Sequence, residues 1–340
     1  VIAERLTAQL LAGPPARTSL AVVQRLLAVQ GQDLRGARLS VRARSEGLSV
    51  ADVDRALTEE RSLLITWLNR GTLHLVASDD YPWLQALTTP PLATAIARRL
   101  AQEGVTPTAA DRGLAAIESA LADEGPLTRD QLRDRVAGAR VPTKGQALVF
   151  VLFLAALRGL IVRGPIVGNQ HAYALVRDWL GEPQPVDRDR ALAELARRYL
   201  AGHGPADDRD LARWAGLPLR DARAGLRAIA PQLAGRHDGL VDLARRAPAA
   251  ELPPPRLLGA FDPVLLGWCS REAILGSNAA LVVSGGLFRP FALAGGRAVA
   301  TWRLTGGTVA LEPFAPLRKT ENAALAADAD DVVRYLGLMN

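Results

Sequence analysis

The sequence predicts an α+β protein in which a helix, helix and two-stranded hairpin order recurs along the chain before a small antiparallel β region closes it. Three observations carry this. Two stretches, from Gly125 and from Gly204, repeat that order, and an earlier, longer version starts at Ser19. Breaks in composition, "GEPQPVDRD" from Gly181 and "APAAELPPPR" from Ala247, fall between the repeats and before the last part. Beyond Pro255 the chain turns to short β-type runs separated by glycine pairs.

In the first segment, 1–110, "SLAVVQRLLAVQ" reads as a helix. "SVADVDRALTEER" reads as another, with Ser49 as cap, and "LLITWLNRGTLHLV" as a hairpin turning at Asn69-Arg70-Gly71. The second segment, 111–180, has a helix opened by Thr128, the apolar helix "QALVFVLFLAALRG", and a hairpin around Gly168-Asn169. In the third, 181–250, "GPADDRDLARWAGL" and "LRDARAGLRAIAPQL" precede a hairpin at Asp238-Gly239. Helix, helix and hairpin make a winged-helix (helix-turn-helix) unit, so three in tandem are expected. The fourth segment, 251–340, is expected to form a small antiparallel β-barrel with Trp268 and Trp302 as core aromatics, followed by a helix that Thr320 could cap.

Composition bounds the function. The chain has 340 residues, 49% hydrophobic and 22% charged, which suits a folded protein of two or three domains. No apolar run approaches the roughly 20 residues of a membrane span, and the early Glu4 does not suit a secretory signal, so a cytoplasmic location is expected. Cys269 is the single cysteine, which excludes an internal disulfide framework. Net charge is +6, and Lys144 and Lys319 are the only lysines among the 41 basic residues. Arginine's planar fork binds phosphate, so nucleic acid is a natural partner, although a coding bias toward Arg, Ala and Gly would leave the same composition. Phosphate-loop, dinucleotide, zinc-protease and serine-elbow motifs are all missing, and the four histidines are scattered, so neither a nucleotide cofactor nor a metal is expected.

The stretches "LLAVQGQDLRGARLSVRAR", "WLNRGTLHLV", "GAFDPVLLGW" and "GRAVATWR", in that order, resemble the winged-helix DNA glycosylases of the AlkZ/YcaQ type. That resemblance implies tandem winged helices and a β-barrel arranged as a C around double-stranded DNA. It also implies a monomeric, monofunctional enzyme that releases alkylated purines, including bulky adducts and interstrand crosslinks, either for general repair or for self-protection of an antibiotic producer. The family's catalytic element, a Gln, an apolar residue, then Gln or Asp, falls on Gln30, Gly31 and Gln32, with glycine at the middle place where relatives carry a larger residue.

Residues i and i+2 lie about 200° apart on a helix and on one side of an extended chain, so this pair can converge only if the helix breaks, and Gly31 would permit that. Asp33 and His74 are candidates for catalytic support, with a turn-capping role for Asp33 and a structural one for His74 as the alternatives. Arg35, Arg38, Arg42, Arg44 and Arg70 are candidates for phosphate contacts. The hairpin tip Ser284-Gly285-Gly286, with Arg289 beside it, is a candidate for the minor groove or an ordinary exposed turn. A non-enzymatic winged-helix regulator is the competing reading, against which the almost wholly apolar second helix of the 111–180 segment argues.

Overall fold

The computed structural model describes residues 1–340 except Asn169, Pro183, Gln184, Met339 and Asn340. Two compact units result: Val1–Val53 with Asp189–Asn340, and Asp54–Arg188. The division falls inside the 1–110 segment, so helices before residue 53 and the hairpin after it belong to different units. No helix among the described residues is long and apolar enough to cross a membrane.

In the 54–188 unit the hairpins of the first two segments share one antiparallel sheet. Its strands run in the order Thr72–Ala77, Leu63–Leu68, Ile161–Val167, Gln170–Leu175 and Leu127–Thr128, and Ile65 opposite Arg163 joins the two hairpins. Leu63–Leu68 is buried along its whole length, which is why it reads as an apolar run interrupted only by Thr66. Its turn uses positive φ at Asn69 (53°) and Gly71 (80°). Half of the expected Gly168-Asn169 turn, Asn169, lies outside the described residues. Thr128 caps the helix Arg129–Gly138 in a full capping box with Gln131. The helix Ala147–Leu157 buries most of its side chains, and Phe153 stacks on Trp67 at 5.1 Å.

In the other unit the order helix, helix, hairpin is again present as Asp208–Ala215, Leu219–Ala228, and Leu233–Gly235 paired with Val241–Leu243. Asp207 caps the first of these helices in a capping box, and Gly216 ends it in the left-handed conformation. The C-terminal β region differs from expectation. Its strands lie in the order Thr308–Pro313, Arg297–Thr305, Phe291–Ala294 and Arg256–Leu258, an open four-stranded antiparallel sheet and not a closed barrel.

Ala279–Val282, inside the stretch expected to hold only short β-type runs, is a short helix, and the Gly285-Gly286 pair makes a separate two-stranded hairpin. The final helix, Lys319–Tyr335, has Arg318 at its N-cap, whose backbone N–H donates to the Glu321 carboxylate at 3.0 Å, and Thr320 lies inside its first turn. That helix covers the open sheet, where Leu325 and Val332 pack with Trp302, Leu257 and Ala292. One-sided coverage by a helix satisfies the apolar face without closure, the physical reason a barrel is not needed.

Candidate active site

The amide pair lies on a non-helical stretch between two helices of the first unit. Ser19–Leu26, capped by Thr18 Oγ1 accepting from the Ala21 N–H at 3.1 Å, stops at Leu27. Leu27 takes φ 67° and ψ −47°, and the Ala28 N–H donates to the Leu26 carbonyl at 2.8 Å, which closes a γ-turn. Such a turn is rare for a residue with a side chain and costs about 1–3 kcal/mol. Leu27, fully buried, is held there by packing. The helix therefore breaks at Leu27, upstream of the expected Gly31. Val29–Gln30 is extended, so the helical separation of positions 30 and 32 is removed. Gln30 is 7% exposed, while Gln32 is exposed.

Asp33 starts the next helix, Leu34–Arg42, its carboxylate accepting from the Arg35 N–H at 3.0 Å. This helix is clamped to the segment Gly259–Asp262. Gly36 meets Ala260 so closely that a Cβ would collide with the Ala260 carbonyl oxygen. We expect Gly36→Ala to lower the urea midpoint by the equivalent of about 1–3 kcal/mol, because the obstacle is backbone and cannot swing aside. An unchanged midpoint would show that the clamp can relax.

Further along the helix, the Ser40 hydroxyl donates to Asp262 at 3.1 Å. Arg44 then forms a bidentate pair with Asp262 at 2.7 and 2.9 Å, both side chains fully buried. Its remaining N–H groups donate to the Gln9 and Ser40 carbonyls and to Gln9 Oε1.

Arg42 is also interior. It is bound to Asp328 at 2.9 and 3.1 Å, to Asp331 at 3.0 Å and to the Leu257 carbonyl at 2.7 Å. Burial opposes its charge, but Asp328 and Asp331 outweigh that and hold the guanidinium above its ordinary pKa. Arg42 and Arg44 were expected at phosphates; both guanidiniums are instead committed to carboxylates and carbonyls inside the fold. Arg38 and Arg42 consequently do not present a common surface. Arg38 is half-buried, one of its N–H groups directed to the Leu34 carbonyl at 3.4 Å, and Arg35 is exposed.

The same Gly259–Asp262 segment anchors the glycine hairpin. Phe261, at φ 58°, places its ring 5.1 Å from Phe288, and the Arg271 guanidinium lies 5.1 Å over Phe288 on the hairpin's returning strand. Ser284 pairs with Leu287 across Gly285 and Gly286, whose φ angles of 57° and 84° are those of a tight hairpin turn that only glycine pairs make easily. Ser284, both glycines, Leu287 and Arg289 are exposed, Leu287 at 70%. An apolar tip of that exposure on a rigid turn was not singled out from the sequence.

In the 54–188 unit Arg70 is exposed in the hairpin turn and His74 is buried on the strand Thr72–Ala77, with Nδ1 2.9 Å from the Thr72 carbonyl. Burial, reinforced by Arg70, lowers the His74 pKa to about 3, so its imidazole is neutral at pH 7 and cannot act as a cationic acid there. Trp268 and Trp302 are both core residues, their indole N–H groups donating to the His203 and Leu258 carbonyls. No cluster of three or more His, Cys, Asp or Glu side chains among the described residues could hold a metal ion.

What sequence reading missed is the clamp: Asp262, Gly36 with Gly259, and the strained Leu27. Gly36 carried a signal, since a glycine inside a helix costs about 1 kcal/mol against alanine and so points to close packing.

Comparison with known proteins agrees with this arrangement. The family described as "DNA glycosylase AlkZ-like" matches residues 23–335. An interstrand DNA cross-link repair glycosylase of Streptomyces sahachiroi is 30% identical, over 93% of this chain and 90% of the relative. The solved structure of Streptomyces sahachiroi DNA glycosylase AlkZ superimposes with a TM-score of 0.80 at 26% identity, over 99% of this chain and 96% of the other. The mixed α and antiparallel β architecture and these matches place the chain in the class of DNA glycosylases. The chain belongs to the AlkZ-like DNA glycosylase family.

Proposed function

We propose that the protein hydrolyses the N-glycosidic bond of cationic alkylated purines in double-stranded DNA, N7-alkylguanine and N3-alkyladenine foremost, with bulky adducts and interstrand crosslinks in the same class. An alkylated purine already carries positive charge. Its C1′–N9 bond breaks with the electron pair passing to the base, which leaves neutral. Water then bonds to C1′ and releases its proton to solvent, giving an abasic site. No strong acid is required, so amides suffice: their oxygens orient the water and their dipoles stabilise the developing sugar cation. Gln30 and Gln32 take this role.

The observation that carries the reading is the non-helical break at Leu27, which puts an almost buried Gln30 and an exposed Gln32 on one stretch backed by the Asp262 clamp. Asp33 supports the pair by capping the helix behind it. Arg35, Arg38, Arg70 and Arg289 contact phosphates, and the Ser284-Gly285-Gly286 tip enters the minor groove. The helix, helix and hairpin segments act as winged-helix units of a monomeric DNA-binding protein. The relative named for cross-link repair supports extending the substrate class to crosslinks.

The test is base release from a duplex carrying one N7-alkylguanine, read as alkali-labile breaks. Gln30→Ala and Gln32→Ala should each lower the single-turnover rate by about 10²–10³-fold, the range for removing one preorganised polar group from a reacting centre. Wild-type rates in either variant would remove the amides from the chemistry. DNA binding without any release by the wild type would favour the non-enzymatic regulator.

A further inference from the structure

Within the first unit, a cleft of about 690 Å³ opens beside the helix that leads to the amide pair, and four of its lining side chains are Arg25, Arg197, Arg245 and Arg246. Its lining contains no carboxylate. Two of these charges are matched from just outside the cleft: Arg246 by Asp242 at 2.7 and 2.8 Å, and Arg197 by Glu194 at 2.5 and 2.8 Å. The side chains of Arg25 and Arg245 have no hydrogen bond or ion pair to protein among the described residues, which leaves the cleft with two surplus positive charges.

Its walls are built, not incidental. Arg198 donates to the Gln24 carbonyl at 2.8 Å, and Gly202 packs so tightly on the Arg25 carbonyl that a Cβ could not be placed there. Arg246 is further tied to the Leu200 and Ala201 carbonyls. The Arg25 backbone is thus fixed beside a cleft that Arg246 also lines. Burial and the Arg246 guanidinium both lower the Arg25 pKa, so an anion in the cleft would relieve a standing repulsion.

We propose that this cleft holds phosphodiester groups of the DNA strand, with Arg25 and Arg245 supplying the free charges. This rests on the glycosylase reading for its partner. Arg25 lies in the last turn of Ser19–Leu26, separated from Gln30 by the rigid turn at Leu27, so a phosphate held there registers the backbone against the amide pair. Arginine suits the task, since its fork grips two phosphate oxygens at once.

The experiment measures binding of lesion-free duplex by the full chain across a salt series, for the wild type, Arg25→Gln, Arg245→Gln and the double variant. Arg303→Gln, an exposed arginine of the C-terminal sheet paired to Glu312, serves as a control of equal charge loss. Each cleft substitution should reduce the slope of log K against log salt by about 0.9, or roughly eightfold weaker binding at 0.1 M salt relative to a 1 M reference. Arg25→Lys and Arg245→Lys should restore the slope.

A double variant whose slope matches that of Arg303→Gln would overturn the proposal. So would inorganic phosphate that binds in an Arg25-dependent way and leaves duplex affinity no lower than chloride does at matched ionic strength, because it would assign the cleft to a free anion. Binding is read without turnover. Failure of the wild type to release bases would therefore sink the glycosylase chemistry and leave this result standing, whereas an unchanged slope would sink the cleft alone.

Discussion

Asp262→Ala should destabilise the first unit by about 3–5 kcal/mol, the usual cost of removing one partner from a buried ion pair. The carboxylate has no exposure and accepts two bonds from Arg44, one from Ser40 and one from the Val264 N–H at 3.0 Å. Removing it strands a guanidinium that is itself fully buried. Arg44 cannot shed its proton to escape, because arginine stays charged in proteins. Urea unfolding at pH 7 gives the measurement, and a loss below about 1 kcal/mol would mean that water reaches Arg44 and the pair is not a clamp.

The double replacement Arg44→Met with Asp262→Leu separates stability from position. An apolar pair of similar volume often equals or exceeds a buried ion pair in stability, so the double variant should regain most of the loss. The ion pair also directs hydrogen bonds into Ser40 and Gln9, which an apolar pair does not. Base release in the folded double variant should therefore stay below wild type, as the helix behind Gln32 loses its register against Gly259–Asp262.

The second large effect is acid lability. His203 is fully buried against Tyr199 at 4.9 Å and Trp214 at 5.2 Å, and burial, its main influence, lowers its pKa to about 3, as for His74. Below pH 6.5 the unfolded chain takes up protons that the folded one cannot accept until about pH 3. Stability is therefore complete above pH 6.5 and falls as the pH drops toward 3.

At pH 5 each histidine removes about 2 kcal/mol, His203 from the first unit and His74 from the second. Carboxylates with lowered pKa values, such as Glu194 and Asp331, respond only at lower pH, which leaves this window to the histidines. His203→Phe keeps the aromatic stack and removes the titration, so the pH 7 to 5 loss should shrink by about 2 kcal/mol in that variant. Equal stability of the wild type at pH 7 and pH 5 would refute the assignment.

These two cases mark where sequence reading stops. Local signals sufficed for these elements: Thr128 announces a helix start, Asn69-Arg70-Gly71 a hairpin, and the amide pair with its neighbouring motifs a family. Each depends on residues within a few positions of one another, where spacing alone sets what can touch. Arg42 and Arg44 looked like their exposed neighbour Arg35 because an arginine carries no mark of its partner, and the partners Asp328, Asp331 and Asp262 lie more than two hundred positions away. Burial turned these two arginines from surface charges into interior fasteners.

The break before the amides shows the same division. A glycine between the two glutamines suggested the place, but the chain turns at Leu27, whose positive φ no local preference favours. Tertiary packing around a fully buried leucine outweighs the strain. The open sheet followed the same rule: strand pattern announced β structure, and only the packing of Lys319–Tyr335 across one face decided that it need not close. The sequence by itself determined the order of elements, the positive charge and the family. The tertiary structure decided which charges remain available to DNA, since a charge's availability depends on the long-range contacts that desolvate and pair it.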